Sequence, residues 1–559
     1  NHLAALVKQA ILNAQNTGAL PAFALPDVFV ERPQKKEWGD FSTSLPLKLA
    51  REAKRAPLQI AQTLAAHFPA DDTVARVTAT APGFVNIILS EAWLAHQVET
   101  ILAQGAHVGD VEPTRREKIQ VEYVSANPTG PLHIGGGRNG AIGDTLANVL
   151  AANGHDVQRE FYINDNGSQI RLFGASVFAR YAQALGRDEP FPEKGYQGAY
   201  VIEMGKTIAQ EHGEKYSQMP RDQALRELGQ MGIAAVLEGY AKTLARMGVQ
   251  FDNWFSERSL HESGLFAQVF EILQGKNLTV EKDGAIWFAA QELGEDKDAV
   301  LVRSPQVIAE PDERPTYLAS DVAYVWNKLV VRGFDRAIYI WGADHHGDVP
   351  RVLAAARALG LDPSRVIILL HQFVNLKRGG ELIKMSKRAG EFVTMDELLD
   401  EVGPDAVRFM LISQHANTTM DFDLELAKKQ SDENPVYYVQ YAHARIASIL
   451  KKAAETGITS DGGDVSLLTH PAELELIREI LRLPEVVELA ATKLEPHHLP
   501  HYAIELAGIF HSFYKQCRVV SSDPADAAIT RARLKLVAAA KNTLARTLNL
   551  IGVRAPETM

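Results

Sequence analysis

Cysteine is almost absent from this 559-residue chain, since Cys517 is the only one. One cysteine excludes an internal disulfide and any cysteine-rich zinc site, and it fits a reducing compartment. Long apolar runs are missing too, because no stretch approaches the roughly 18 residues needed to cross a bilayer. The first residues, Asn1–Ala4, show neither a basic region nor a cleavage-site pattern. These absences predict a cytoplasmic protein with no membrane attachment.

Positive charge is also in deficit, with 58 basic and 69 acidic residues and a net charge of −11. That balance excludes a protein that coats nucleic acid by bulk charge, but it allows a local basic surface on an acidic body. Residues 511–559 carry eight basic and three acidic side chains. The end of the chain is therefore a candidate for contact with phosphate groups.

Pattern changes along the chain predict three domains. Residues 1–110 have the mixed pattern of a small α/β unit, and glycine, proline and charge at Gly105–Arg116 indicate a boundary. Residues 111–430 alternate strand and helix patterns, interrupted by a largely helical insertion at about 165–300. Residues 431–559 show only helical spacing. The predicted fold class is a multidomain α/β protein: a Rossmann-like doubly wound parallel-sheet domain with insertions, a small α/β N-terminal domain and an all-α C-terminal domain.

Individual elements are predicted from hydrophobic spacing. Helices are expected at Leu3–Ala14, Leu45–Phe68, Val349–Leu359, Pro435–Lys452, Ala472–Leu494, Tyr502–Cys517 and Ala528–Leu550. Strands are expected at Gly83–Leu89, Ile119–Ser125, Val157–Ile163, Ala337–Trp341 and Val366–Leu370.

A glycine-rich turn, SANPTGPLHIGGGR at Ser125–Arg138, follows the strand expected at Ile119–Ser125. Three consecutive glycines at a strand-to-helix turn let a ligand approach the backbone closely. The amide groups and the positive dipole end of the following helix suit a phosphate group. A tight structural turn is the alternative, and His133 just before the glycines favours the phosphate site.

A basic segment, KMSKRAG at Lys384–Gly390, comes after the second half of the expected sheet. Two lysines and a serine can hold a triphosphate through charged and hydrogen-bonding donors. A solvated surface loop is the alternative for so short a motif taken alone.

The two motifs, in this order around a split α/β domain, resemble the signature pair of class I aminoacyl-tRNA synthetases. The surrounding sequence resembles bacterial-type arginyl-tRNA synthetases over nearly the whole chain. The segments that carry this resemblance are Trp38–Asp40, Ala81–Asn86, Val121–His133, Tyr162–Gly167, Phe255–Leu260, Thr316–Tyr324, Trp341–Gly347 and Asn434–Arg445. Asp405–Arg408 nearly matches the Asp-Ala-Leu-Arg tag that names the family's anticodon-binding domain.

The resemblance implies a ligase that activates L-arginine with ATP to arginyl-adenylate and transfers arginine to the 3′ end of tRNA(Arg) for protein synthesis. It implies tRNA contacts by domain 1–110, anticodon binding by domain 431–559, and a monomer. It also implies the site residues. Arginine is assigned to Ser125, Asn127, His133, Glu257, Tyr317 and Asp321; ATP to His133, Gly135, Gly136, Gly342, Asp344, His346, Met385, Ser386 and Lys387; catalysis to His133, Lys384 and Lys387; and tRNA to Asn86, Tyr437 and Tyr441.

The chemistry of the substrate agrees with this assignment. A guanidinium has five donors in one plane and needs carboxylates and aromatic walls around it. Tyr317 and Asp321 are four residues apart, so on a helix they share a face. Mg²⁺ is expected to accompany ATP, bound mainly by phosphate and water. A metal site at the adjacent His345 and His346 is disfavoured because neighbouring rings diverge, so no tightly bound protein metal is expected.

One residue departs from the family pattern. The family usually has histidine at the fourth position of the first motif, where this chain has Gly136. A slower enzyme, a compensated enzyme and an inactive tRNA-binding relative are the alternatives, and the intact arginine pocket and lysine segment favour an active enzyme. A shorter nucleotidyltransferase with the same fold is a further alternative, which the helical C-terminal region disfavours.

Overall fold

The computed structural model describes residues 2–165, 167–294, 297–305, 315–383 and 393–559, without the side chains of Ser168 and Tyr317. The chain divides into two compact units. One comprises residues 1–106, 446–482 and 508–542, and the other comprises residues 107–445, 483–507 and 543–559. None of the helices in the described part of the chain is long and apolar enough to cross a bilayer.

The first unit contains a three-stranded antiparallel sheet in which Phe84–Leu89 lies between Phe41–Thr43 and Val74–Thr80. Apolar side chains from this sheet and from the neighbouring helices form its core, among them Ile11, Ile60 and Ile87. The helices in this part of the chain are His2–Asn16, Leu45–Ala53, Pro57–Ala66 and Glu91–Gln104.

The single helix predicted over Leu45–Phe68 is wrong, because the structure has two helices there. Lys54 ends the first helix in a left-handed conformation, with φ of 49°. Pro57 then begins the second helix, where its missing amide hydrogen is not needed. Turn formation at residues 54–56 therefore overrides continuous helical spacing.

The second unit is built on a five-stranded sheet in which every neighbouring pair is parallel. Along the sheet the strands follow the order Val366–His371, Arg336–Gly342, Lys118–Glu122, Asp156–Ile163, Asn253–Ser256. The strand order runs outward in both directions from Lys118–Glu122, as in a doubly wound sheet. The parallel sheet with its helices, a small α/β region near the N-terminus and helices near the C-terminus confirm the predicted fold class.

The region expected to be a helical insertion also contributes strands. Asn253–Ser256 is the edge strand of the parallel sheet, and Thr279–Lys282, Ala285–Phe288 and Ala299–Val302 form a separate antiparallel sheet. These strands have four residues each, too few for alternation to stand out in the sequence. The helices of this region are Ser168–Ala184, Ala199–His212, Arg221–Arg246, Arg258–Glu262 and Leu265–Gly275.

The remaining elements complete the two units. A small sheet pairs Val374–Arg378 with Met420–Asp423 in parallel and with Glu381–Leu382 in antiparallel orientation. The helix predicted over Ala472–Leu494 is two helices, interrupted at Leu481 and Arg482. The other helices are Ile134–Ala152, Tyr317–Trp326, Val349–Leu359, Met395–Val402, Pro404–Leu411, Leu424–Lys428, Pro435–Glu455, Pro471–Ile480, Leu483–Lys493, His498–Gln516 and Ala527–Ile551.

Candidate active site

The carboxyl edge of the parallel sheet collects most of the residues singled out from the sequence. Glu257 directly follows the strand Asn253–Ser256, and Gly342 ends the strand Arg336–Gly342. Ser125, Asn127 and His133 follow the strand Lys118–Glu122. In open α/β sheets, ligands bind outside this edge where the strand order reverses. The topology therefore marks the same place as the sequence motifs.

The glycine turn forms the first turn of the helix Ile134–Ala152. His133 is its N-terminal cap, and the Nδ1 atom accepts a hydrogen bond from the Gly135 amide at 3.0 Å. Gly136 and Gly137 are buried, and a Cβ added at Gly137 would lie 2.4 Å from Met395 Sδ. The cap leaves other amides of the first turn available to an anion.

The strand predicted to reach Ser125 ends at Glu122, because the backbone reverses sharply after it. Val124 and Ser125 both have positive φ, at 65° and 38°. Such conformations are costly for residues with a Cβ and accumulate at functional sites. Ser125 Oγ lies 3.2 Å from Glu122 Oε1 as a donor and accepts the Tyr162 amide at 3.1 Å.

Asn139, on the helix Ile134–Ala152, supports this reversed backbone. Its Oδ1 accepts the Val124 amide at 2.7 Å, and its Nδ2 donates to the Ile340 carbonyl at 2.8 Å. The same Nδ2 lies 3.2 Å from His371 Nε2. Burial lowers the pKa of His371 to about 4, so this ring is neutral and its Nε2 can accept. The side-chain amide of Asn139 thus links the ends of neighbouring strands at the point where the strand order reverses.

The loop between Ser125 and His133 is held by two tyrosines from the inserted region. Tyr240 donates to the carbonyls of Asn127 at 3.0 Å and Gly130 at 2.7 Å. Tyr200 donates to the Thr129 carbonyl at 2.5 Å. Asn127 Oδ1 accepts from Asn164 Nδ2 at 3.3 Å. The insertion therefore shapes the substrate loop, a role that the sequence patterns did not indicate.

Two carboxyl groups with raised pKa values, Glu257 and Asp321, lie together near the strand end. Burial and then the nearby charge of Asp165 raise the pKa of Glu257 to about 7, against hydrogen bonds from the hydroxyls of Ser320 and Tyr162. The Ser320 hydroxyl donates to Glu257 Oε1 at 2.6 Å. Burial and then the charge of Glu257 raise the pKa of Asp321 well above its usual range. A positive ligand between these groups would favour their ionised forms.

Lys328, whose charge acts on Asp321, is committed to another acid. Lys328 is fully buried and donates to Glu122 Oε2 at 2.5 Å. Its Nζ lies 3.9 Å from the ring centre of Tyr324 and 3.5 Å from that of Tyr339. Burial lowers the pKa of Lys328, although Glu122 and Glu160 oppose the shift. A cation held in this way neutralises the charge of Glu122. It does not neutralise the acidic pair Glu257 and Asp321.

Three of the residues assigned to ATP, Gly342, Asp344 and His346, lie at the end of the strand Arg336–Gly342. The helical turn Ala343–Asp348 exposes Asp344 and His346. A Cβ at Gly342 would lie 2.4 Å from Asp344 Oδ1, so glycine keeps the strand end open to that side chain. His345 Nδ1 lies 3.6 Å from Asp348 Oδ2.

The second motif, Lys384–Gly390, lies wholly outside the described residues. Lys384, Met385, Ser386 and Lys387 lie outside the described residues, as does the side chain of Tyr317. Just beyond the motif, Thr394 caps the helix Met395–Val402 with a capping box.

The three residues predicted to contact tRNA differ in their surroundings. Asn86 is 1% exposed, its Oδ1 accepts from Ser42 at 2.8 Å, and its Nδ2 donates to Thr80 at 2.9 Å. Direct contact of Asn86 with tRNA does not fit this burial. Tyr437 and Tyr441 are stacked, with ring centres 6.3 Å apart and planes at 9°.

Known proteins resemble this chain along its full length. Residues 1–89 match the family described as arginyl tRNA synthetase N terminal domain, residues 97–447 match tRNA synthetases class I (R), catalytic domain, and residues 439–559 match DALR anticodon binding domain.

Individual relatives agree with these families. Arginine–tRNA ligase of Dehalococcoides mccartyi strain CBDB1 is 48% identical, with 99% of this chain and 98% of the relative covered. Arginine–tRNA ligase of Heliobacterium modesticaldum is 44% identical, with 100% and 98% covered. The solved arginyl-tRNA synthetase of Thermus thermophilus has the same fold, with a TM-score of 0.75, 23% identity and coverage of 100% of this chain and 99% of the other.

Proposed function

The chain belongs to the arginyl-tRNA synthetase family and is an arginine–tRNA ligase, and on this premise we propose that Glu257 and Asp321 hold the guanidinium of arginine. The observation that carries the proposal is the burial of Glu257, 5% exposed, directly after the strand Asn253–Ser256, with its charge acting on Asp321. A guanidinium remains charged at any physiological pH and presents planar donors to carboxylates. Its binding would favour the ionised forms of both acids.

The other end of arginine is assigned to the reversed backbone after the strand Lys118–Glu122. Ser125 and Asn127 lie there and, with His133, hold the α-amino and carboxylate groups. Tyr317 contributes an aromatic wall to the guanidinium site. The two tyrosines from the insertion position the loop that carries Asn127. This arrangement places the arginine carboxylate towards the N-terminus of the helix Ile134–Ala152.

ATP with its Mg²⁺ is the second substrate of activation. We assign its phosphates to His133, to the glycine turn at Gly135 and Gly136, and to Met385, Ser386 and Lys387. Its adenosine and phosphates also meet Gly342, Asp344 and His346. The first helical turn supports this assignment, because its amides and dipole end favour an anion.

The ligase reaction proceeds in two steps. The arginine carboxylate attacks the α-phosphorus of ATP, which forms arginyl-adenylate and releases pyrophosphate. A terminal ribose hydroxyl of tRNA then attacks the acyl carbon and releases AMP. Neither step needs an enzyme nucleophile, so the work assigned to His133, Lys384 and Lys387 is positioning and stabilisation of developing negative charge.

tRNA recognition is assigned to both ends of the chain, with residues 1–110 contacting the body of tRNA(Arg) and residues 431–559 its anticodon. The stacked rings of Tyr437 and Tyr441, with Arg445 5.7 Å from the Tyr441 ring centre, support base stacking. Asn86 supports its sheet from within. We keep the expectation of a cytoplasmic monomer, and we expect arginine activation to need bound tRNA, as is common in the family.

ATP–pyrophosphate exchange with and without tRNA(Arg) tests the proposed pocket. Citrulline is the matched ligand, because it replaces the guanidinium by a neutral group of similar shape. Arginine should support exchange and citrulline should not, and Glu257→Gln should lose most arginine-dependent exchange. The matched control is Glu262→Gln, an exposed acid nearby in sequence. Equal exchange with both amino acids would refute a charge-selective pocket.

A further inference from the structure

A cluster of histidines around one glutamate lies where the helix Leu483–Lys493 gives way to the helix His498–Gln516. None of its members takes part in the substrate contacts assigned above. We propose that Glu495, His497 and His498 of this cluster bind a divalent transition-metal ion of the zinc class.

The ligand atoms of the three residues converge. One side-chain ligand atom from each lies within 4.8 Å of those of the other two. Zinc binds imidazole nitrogen and carboxylate oxygen at about 2.0–2.2 Å in a tetrahedron, so its ligand atoms lie roughly 3.3–3.6 Å apart. Small side-chain rotations would bring the three ligand atoms from within 4.8 Å of one another to the spacing that zinc requires. Among the described residues, no other group of this kind places its ligand atoms so near one another.

The backbone explains why two adjacent histidines can bind the same metal ion here. Neighbouring side chains diverge on a regular helix or strand. His497, however, precedes the first residue of the helix His498–Gln516, and Leu494 before it has a left-handed φ of 58°. The turn brings the ring centres of His497 and His498 to 4.3 Å.

The hydrogen bond within the cluster marks a position that a cation can occupy. His498 Nε2 lies 2.9 Å from Glu495 Oε2, so a proton is shared between the two groups at the proposed site. A metal ion can replace that proton.

Two more histidines surround the three ligands without joining them. His415 Nδ1 accepts the Asn417 amide at 3.1 Å, so its proton sits on Nε2, 3.4 Å from Glu495 Oε1. His501 Nε2 lies 2.9 Å from the Ser413 carbonyl and therefore donates to it. Both rings pack against His497. His415 thus orients the carboxylate, as outer partners of metal ligands commonly do.

A cavity next to the cluster provides room for the rest of the coordination shell. Its volume is about 270 Å³, and His415, Glu495 and His497 line it together with the strand residues Ile368 and Leu370. Zinc with three protein ligands keeps a fourth position for water or another small ligand. The nitrogen-rich ligand set favours zinc, nickel or copper over magnesium and calcium.

Binding of Zn²⁺ alone to the full-length, chelator-treated protein tests the proposal. Isothermal titration should show one saturable equivalent, and Co²⁺ should give the intense visible absorption of a tetrahedral ion. His497→Gln and His498→Gln should each abolish that binding. His415→Gln should weaken it by about tenfold, as expected for loss of an outer-shell partner.

Matched controls separate this site from other metal-binding groups. His501→Gln removes a ring of the same cluster that is not a ligand, and Cys517→Ser removes the thiol whose Sγ lies 3.4 Å from His470 Nδ1. Both variants should bind Zn²⁺ within twofold of the original protein. Absence of saturable binding, or binding that survives His497→Gln, would overturn the proposal.

Discussion

The amide of Met395 donates a hydrogen bond to the carbonyl of Leu132 at 2.7 Å. Leu132 lies just before His133, and Met395 lies just beyond the lysine motif. Thr394 also pairs with His133 in an antiparallel bridge. The chain just after the second motif, at Thr394 and Met395, is therefore fixed beside the start of the first motif, which agrees with both motifs acting on one triphosphate.

Lys387→Ala should lower the rate constant of adenylate formation by about 10²–10³-fold, the usual loss for one donor to a transition-state charge. Arginine binding should change little, because the lysine is assigned to ATP. Rapid-quench measurement of adenylate at saturating substrates separates the two quantities. Lys429→Ala, which removes an exposed lysine paired with Glu433, is the control. An unchanged rate constant would exclude this role.

Gly136→His should lower activity rather than restore a missing donor. A Cβ at this position would lie 2.5 Å from Leu132 Cδ1, and Leu132 is buried. The turn has therefore adapted to glycine, and a larger residue would displace the buried side chain of Leu132 just before His133. kcat for tRNA charging and Tm should both fall, with a smaller effect in Gly136→Ala. A rise in kcat of about tenfold would show instead that a donor had merely been lost.

Tyr441→Ala should raise KM for tRNA(Arg) while KM for arginine in charging stays the same. The loss of one stacking ring is worth about 1–3 kcal/mol per base. Tyr438→Ala is the matched neighbour. Charging assays over a salt series provide the measurement, and affinity should fall steeply with salt if basic residues contact phosphates. Unchanged KM for tRNA would remove Tyr441 from the interface.

Deleting all residues after about 430 is a poorer test of tRNA binding than this point substitution. Buried Arg408 donates to Asp144 and to the Ile551 carbonyl, and Asp405 accepts from the Arg554 side chain at 2.9 Å. The deletion would remove Ile551 and Arg554 and leave the buried Arg408 guanidinium without one of its acceptors, which costs about 1–3 kcal/mol. Lost charging in such a truncation would therefore reflect damage to the catalytic unit as well.

Glu257→Gln should stabilise the ligand-free protein at pH 8 while impairing its use of arginine. The pKa of Glu257 is raised from 4.5 to about 7 in the fold. Its stabilising contribution is therefore complete below pH 4.5 and is lost as pH rises through 7, by about 3 kcal/mol at most. Thermal unfolding at pH 5 and pH 8 provides the measurement. A variant less stable than the original protein at pH 8 would contradict the raised pKa.

Much of the fold follows from local patterns. The strands at Asp156–Ile163 and Arg336–Gly342 are runs of β-forming residues that end near glycine or polar turns, and their predictions are confirmed. The edge strand Asn253–Ser256 could not be predicted, because its pairing with Asp156–Ile163 depends on residues far away in sequence. A short strand forms because of its pairing within the sheet rather than because of the propensities of its own residues.

The site shows the same division between local and long-range information. The glycine turn at His133 has a local signature, because glycines at a strand-to-helix junction have a specific use. Glu257 and Asp321 have none and were identified through family resemblance. Their raised pKa values arise from burial and from the charge of neighbouring acids, which only the folded chain brings together. Lys328 and Glu122 likewise meet across more than two hundred residues.

The KM for arginine of Asp321→Asn, measured in tRNA charging, tests the guanidinium pocket most directly. Removing one carboxylate from a buried charged pair costs about 2–5 kcal/mol, so KM should rise by about 30-fold or more. KM for ATP should stay near that of the original protein, and Glu262→Gln should leave both unchanged. An Asp321→Asn enzyme that uses arginine with an unaltered KM would contradict the account.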